Sequence, residues 1–219
     1  MAEHDLVIRG GTVIDGSGDQ RRTADVAVSD GVITHVGEVS GTGRREVDAE
    51  GRLVQPGFVD IHTHYDGQAT WDSQLAPSSW HGVTTVVMGN CGVGFAPVRP
   101  ADHERLIQLM EGVEDIPGIA LHEGLPWTWQ SFDEYLDHLG GRHYDIDVGA
   151  QVPHAAVRLN VMGERGAARE TATPDDIAAM AEIVKRGIQA GALGFSTSRT
   201  LNHKSSLGEP TPTLTAEIE

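Results

Sequence analysis

Short apolar runs broken by turn signals, with no helical period, fill the first 55 residues, which predicts strands rather than helices. Leu6-Val7-Ile8 and Thr12-Val13-Ile14 flank Gly10-Gly11, a pattern that predicts a hairpin. Asp25 to Val28 alternates in the strand manner, Asp30-Gly31 makes a two-residue turn, and Val32 to Val36 forms the return strand. Gly41 to Gly43 is a further turn. Val47 and Leu53-Val54 sit in two short strands separated by Glu50-Gly51. Residues 1–55 therefore read as a small all-β unit.

The pattern changes at Pro56-Gly57. Phe58 to Ile61 reads as a buried strand, and a helical stretch is expected from about Gln74 to His81. The β-branched run Val83 to Met88, bounded by glycines, suits a buried parallel strand. Asp102 to Met110 predicts a helix. Gly112 to Gln130, with two prolines and two tryptophans, reads as a loop in which Trp127 and Trp129 either pack or form a lid. Ser131-Phe132-Asp133-Glu134 is a capping-box pattern that opens a helix to Leu139. Ile146 to Val152 is a third strand. Thr173-Pro174-Asp175-Asp176 starts a helix whose apolar face is Ile177, Met180, Ile183, Val184 and Ile188, ended by Gly191. Ala192 to Ser196 is a fourth strand, and Ala216 to Glu219 reads as the start of another helix. Strands alternating with helices imply a parallel sheet or barrel. A whole (β/α)8 barrel takes roughly 250 residues, more than residues 56–219 supply.

Charge and composition narrow the function classes. Sixteen Lys and Arg against 32 Asp and Glu give a net charge of −16, which opposes binding to phosphate backbones and argues against a nucleic-acid partner. No apolar run approaches the roughly 18 residues of a membrane span, and no basic segment leads an apolar run at the N-terminus. A cytoplasmic protein without a membrane partner is expected. The single cysteine, Cys91, precludes an internal disulfide.

Three residues carry metal chemistry. His62 and His64 are two apart at a strand end, where side chains i and i+2 share a side and two imidazoles can converge on one ion. Cys91 follows the next strand among Gly89, Gly92 and Gly94. It is either a thiolate ligand or a small buried residue. Asp60 and Asp66 flank the histidines, as hydrogen-bonding orienters or as turn acids. His154 follows the third strand, lining a pocket or capping a helix. Arg199 and His203 follow the fourth, and the Arg199 guanidinium either grips a substrate carboxylate or faces solvent. His4, His35, His103, His122, His138 and His143 read as surface residues.

The run Gln55-Pro56-Gly57-Phe58-Val59-Asp60-Ile61-His62-Thr63-His64 resembles the first-strand signature of the amidohydrolase superfamily. His81 to Gly92, ending Gly89-Asn90-Cys91-Gly92, resembles the N-acyl-D-amino-acid deacylase (D-aminoacylase) family, in which Cys replaces the carboxylated Lys of related hydrolases. Pro153-His154 and Gly191 to Thr197 are similar to that family too, and the resemblance runs from about Leu6 to the last residue. It implies His62, His64 and Cys91 as ligands of one or two divalent metals, Zn²⁺ first among them, and a small N-acyl amino acid as substrate. It further implies that two later histidines and the proton-handling aspartate lie beyond Glu219. The expected fold is then α/β: an incomplete (β/α)8 metal-dependent hydrolase barrel over 56–219, preceded by half of a small β-sandwich over 1–55. The missing C-terminal half would complete both, oligomerisation is left open, and these residues alone are expected to be inactive. Two other readings stand beside this one: a hydrolase of cyclic amides or imine-type rings, against which Cys91 in place of Lys argues, and a non-catalytic metal-binding fragment.

Overall fold

The computed structural model describes residues 2–217, which divide into two compact units at Gly57/Phe58. The first unit is a five-stranded sheet. β1 (His4–Val13), β2 (Arg22–Ser29), β3 (Val32–Gly37) and β4 (Gly43–Asp48) lie in the order β3-β2-β1-β4, and β5 (Leu53–Val54) pairs with the end of β1. β1 pairs antiparallel with β2 and parallel with β4 and β5. Asp30 and Gly31 both have positive φ, the turn geometry that matches the twist of paired strands.

The hairpin expected at Gly10-Gly11 is not formed. β1 runs through it, and the register against β2 shifts between Ile8 and Gly11. Gly10 takes φ +65 there and donates its N–H to Asp25 Oδ1 (2.8 Å), so the glycine pair makes a bulge instead of a turn. Asp25 also accepts from Arg9 Nη1 at 3.1 Å and from the Val39 N–H at 3.4 Å. These bonds hold its carboxyl below the ordinary carboxylate range, the Gly10 N–H contributing most.

The second unit is α/β. Its strands β6 (Phe58–Asp60), β7 (Val83–Met88), β8 (Asp147–Pro153) and β9 (Gly194–Ser196) form one parallel sheet in chain order. Its helices are α1 (His103–Glu114), α2 (Gly118–Gly124), α3 (Phe132–Gly140), α4 (His154–Met162), α5 (Glu164–Ala167) and α6 (Pro174–Gln189). The core joins the buried strand residues Val86, Met88, Ala150 and Val152 to Phe95, Leu106, Met110, Trp129, Tyr135 and Leu159. Phe58, Val59, Ile61 and Leu193 remain more than half exposed.

Two helices start as their sequences dictate. Ser131 accepts from the Glu134 N–H and Glu134 reaches back to the Ser131 N–H at 3.0 Å. Thr173 and Asp176 make the same reciprocal pair ahead of Pro174. The α6 face differs by one step: Met180 and Gly187 are buried, whereas Ile188 is 45% exposed. A Cβ on Gly187 would stand 2.7 Å from Val152 Cγ2, so the glycine lets α6 lie close on β8.

Other expectations are corrected. Gln74 to His81 holds a single 3₁₀ turn, Ser78–His81, because Pro77 lacks an N–H and Leu75 sits at φ +49. Gly112 to Gln130 is not one loop: α1 continues to Glu114 and α2 follows. Trp129 is buried and donates Nε1–H to the Phe95 carbonyl at 2.8 Å, while Trp127 stacks on His103 with ring centroids 3.8 Å apart, so both tryptophans pack. Of the six histidines read as surface residues, His103 and His138 are half-buried against Trp127 and Trp129. α4 and α5 fill the segment between the third strand and the Thr173 helix, where the sequence carries no clear helix signal. Ala216 and Glu217 are not helical, and the rest of that expected helix lies outside the described residues. No helix among the described residues is long and apolar enough to cross a membrane.

Candidate metal centre

The ends of β6 and β7 carry the metal-binding residue types. β6 stops at Asp60, one residue earlier than expected, and His62 and His64 follow it in irregular backbone. Cys91 lies in a 3₁₀ turn, Asn90–Gly92, directly after β7, with a left-handed φ of +54. His62, His64 and Cys91 each offer one donor atom, and the three atoms lie within 4.8 Å of one another. His62 Nε2 and Cys91 Sγ are 3.3 Å apart, and the two imidazole centroids are separated by 5.4 Å. Two imidazoles and a thiol suit Zn²⁺.

Gly89 makes the Cys91 turn possible. Its φ is +80, and a Cβ there would stand 2.1 Å from the Gln151 carbonyl oxygen on β8. Ser196 at the end of β9 accepts the Gly92 N–H at 2.8 Å and donates to the Gly89 carbonyl. On the other side, Thr63 donates to the Val87 carbonyl through both its N–H (2.9 Å) and its hydroxyl (2.8 Å).

Glu114, at the end of α1, stands against His64, with Oε1 3.2 Å from Nε2. Burial, then the neighbouring His62 and His203, lower His64 to about 4, so it is neutral near pH 7. A neutral His64 donates Nε2–H to Glu114, which leaves the lone pair on Nδ1. That Nδ1 is buried and has no hydrogen-bond partner among the described residues. An orphaned buried nitrogen beside a thiol and a second imidazole is what a metal ligand set presents, and these residues fit an ion of the zinc class. Burial raises Glu114 to about 7, helped by Asp115, and raises the buried Asp66 to about 7. The Cys91 thiol is pushed up by burial and by the Glu114 and Asp66 charges.

The flanking acids act on the backbone. Asp60 Oδ1 accepts the His62 N–H at 3.2 Å, and the nearby Gly89 N–H offsets part of the upward shift that burial gives Asp66. His154 is buried at the start of α4, with Nδ1 2.9 Å from Thr197 Oγ1, and it lines an apolar cavity of about 350 Å³ with Val157, Met180 and Phe195. It does not belong to the converging group. Arg199 is exposed and donates to the Glu217 carbonyl at 2.7 Å. His203 bonds Ser198 Oγ at 2.9 Å and stands near enough to His62 to feel its charge. Glu114 lies four residues past the helix that the sequence predicts over Asp102 to Met110. The apolar period Leu106, Met110, Val113 already carried the helix to it.

Parallel strands with metal-ligating residue types at the carboxyl ends of the first two define an α/β protein with a candidate metal centre. The amidohydrolase family model matches residues 45–217, and the chain belongs to the amidohydrolase family. D-aminoacylase of Alcaligenes xylosoxydans xylosoxydans is 34% identical over 194 residues, covering 88% of this chain and 37% of that protein. The crystal structure of a D-aminoacylase superposes with a TM-score of 0.76 at 32% identity, covering 98% of this chain and 40% of that one. N-acyl-D-glutamate deacylase from Bordetella bronchiseptica, solved with zinc and a phosphonate mimic of the tetrahedral intermediate, gives 0.74 at 34% identity, over 89% of this chain and 38% of its own. The chain thus spans about two-fifths of the length of these relatives.

Proposed function

We propose that this chain supplies the metal platform of a cytoplasmic enzyme that hydrolyses the N-acyl amide of D-amino acids or related compounds. The observation that carries the reading is the convergence of His62, His64 and Cys91 within 4.8 Å at the carboxyl ends of β6 and β7. The names and bound groups of the similar proteins support the substrate class. In this reading the parallel sheet is the first part of a (β/α)8 barrel, and residues 1–55 belong to a small β-sandwich.

His62, His64 and Cys91 would hold one or two divalent ions, Zn²⁺ by the softness of the thiolate. When bound, such an ion lowers the pKa of water and polarises an acyl carbonyl. The protein's own part is positional. Glu114 orients the His64 ring through Nε2, and Asp60 fixes the backbone at His62. Arg199 and His154 are assigned to the substrate: a guanidinium matches the carboxylate of an N-acyl amino acid, and His154 opens on an apolar cavity suited to a side chain. No described residue is assigned the proton transfer.

The test uses the intact protein. Cys91→Ala should lower zinc content and the turnover of N-acetyl-D-amino acids by orders of magnitude. Native zinc content in that variant would return Cys91 to a packing role and remove the reading. Turnover of hydantoins in preference to N-acyl-D-amino acids would move the substrate class to cyclic amides.

A further inference from the structure

The donors sit on backbone that no sheet ladder fixes. His62 and His64 lie past the end of β6, and Cys91 lies in a single turn past β7. The Thr63 N–H and hydroxyl tie the histidine segment to the Val87 carbonyl of β7 but do not reach the Cys91 turn, and a shift of a few tenths of an ångström between the two spoils tetrahedral ligation.

The Asn90 side chain spans the gap. It is 7% exposed, and its Nδ2 stands 2.8 Å from the Val87 carbonyl, 3.3 Å from that of Thr63 and 3.4 Å from that of Ile61. The Val87 contact is local, three residues back, and an ordinary turn asparagine would make it. The other two cross to the histidine segment. Ile61 and Thr63 are the residues on either side of His62, and Thr63 is also the residue before His64. Asn90 itself immediately precedes Cys91. One amide is therefore covalently next to one donor and hydrogen-bonded to the peptides flanking the other two. Its orientation is fixed from a third strand: Gln151 Nε2 on β8 donates to Asn90 Oδ1 at 2.9 Å. Reversing the amide would turn its oxygen toward three carbonyl oxygens and its NH₂ toward the Gln151 donor, so only one orientation is satisfied.

We infer that Asn90 is a positioning residue that sets the spacing between the His62/His64 pair and Cys91, with Gln151 fixing the direction of its amide. The inference rests on the metal-site reading above. Loss of a group that positions ligands through hydrogen bonds lowers metal affinity about 10–100-fold.

The test is Co²⁺ titration of the intact protein after zinc removal, followed by the thiolate-to-cobalt charge-transfer band that Cys91 ligation produces. Circular dichroism checks each variant's fold. Asn90→Ala removes the bridge, and Asn90→Asp sets a carboxylate against three carbonyl oxygens. Both should remain folded, bind Co²⁺ about 10–100-fold more weakly and show a weakened or shifted band. Gln151→Ala, which leaves Asn90 in place, should move affinity and band in the same direction by a smaller factor. It decides the matter should the Asn90 variants fail to fold. Folded variants with native affinity and a native band would overturn the inference alone. Absence of the band in the native protein would remove the metal-site reading, and this inference with it.

Discussion

Gly89→Ala tests the framework of the site without reference to any metal. The residue has φ +80, and a non-glycine residue held in the left-handed region costs about 1–2 kcal/mol. The added methyl would also stand 2.1 Å from the Gln151 carbonyl oxygen, 3.0 Å from its carbonyl carbon and 3.1 Å from its nitrogen. These are backbone atoms of β8, which is paired on both sides by β7 and β9, so no side chain can swing away to relieve the clash. Overpacking of that kind costs about 1–3 kcal/mol. The sum, about 2–5 kcal/mol, is a large share of the roughly 5–15 kcal/mol that holds a typical domain folded. Urea denaturation of the intact protein in EDTA measures the loss free of any metal contribution. Gly140→Ala is the control: it lies at the end of α3 with nothing within 4 Å of its Cβ position, and it should be neutral or slightly stabilising. If Gly89→Ala melts within about 0.5 kcal/mol of the native protein, the close approach of the Cys91 turn to β8 is wrong.

The remaining predictions concern both units. His62→Asn and His64→Asn should each cut turnover at saturating substrate in the intact enzyme; a double variant with near-native kcat would remove both from the site. In the first unit, Asp25→Asn should cost about 1 kcal/mol at pH 7. Because the folded carboxyl lies below its unfolded value of 3.8, this stabilisation is present above that value and lost as pH falls through the lower, folded one. The stability gap between native and variant should therefore narrow from pH 5 to pH 2, and a gap independent of pH would refute the role given to Asp25. Expressed by themselves, these 219 residues should associate in sedimentation, since β6 and β9 each have one unpaired edge among the described residues and Phe58, Val59, Ile61 and Leu193 are exposed on or beside them; a cooperatively melting monomer would contradict this.

The parallel strands were legible because Val83–Met88 is rich in β-branched residues and bounded by glycines, and Ile146, Val148, Ala150 and Val152 recur at every second position, and the two capped helices because Ser131/Glu134 and Thr173/Asp176 write the same device into four residues. The His62-Thr63-His64 and Cys91 grouping was legible from type and place, since both fall where a strand stops. What stayed hidden depends on long-range pairing. Gly10-Gly11 carries the same turn signal whether the chain reverses or bulges, and only Asp25 arriving from β2 to take the Gly10 N–H decides between them. Glu114 was out of sight because a helix end in a segment rich in glycine and proline gives a weak signal, although Leu106, Met110 and Val113 extend the period far enough. Asp60 and Asp66 flank the histidines in sequence, but no sequence pattern says that Asp60 would bind the His62 N–H rather than an imidazole.

The division of labour among the four parallel strands follows from these contacts. β6 and β7 bring the donors, and they do so at their ends, where ladder bonding has stopped and side chains are free to turn toward an ion. That freedom would leave the donors loosely placed, and β8 and β9 remove it. Gln151 on β8 grips Asn90, and Ser196 on β9 binds both the N–H of Gly92 and the carbonyl of Gly89, on either side of Cys91. Neither strand gives a residue to the converging group. Their role is met by short polar side chains at strand ends together with a glycine that admits the backbone to 2.1 Å of where a Cβ would stand. Bulkier residues at Gly89, Asn90 or Ser196 would leave His62, His64 and Cys91 chemically intact and still separate them.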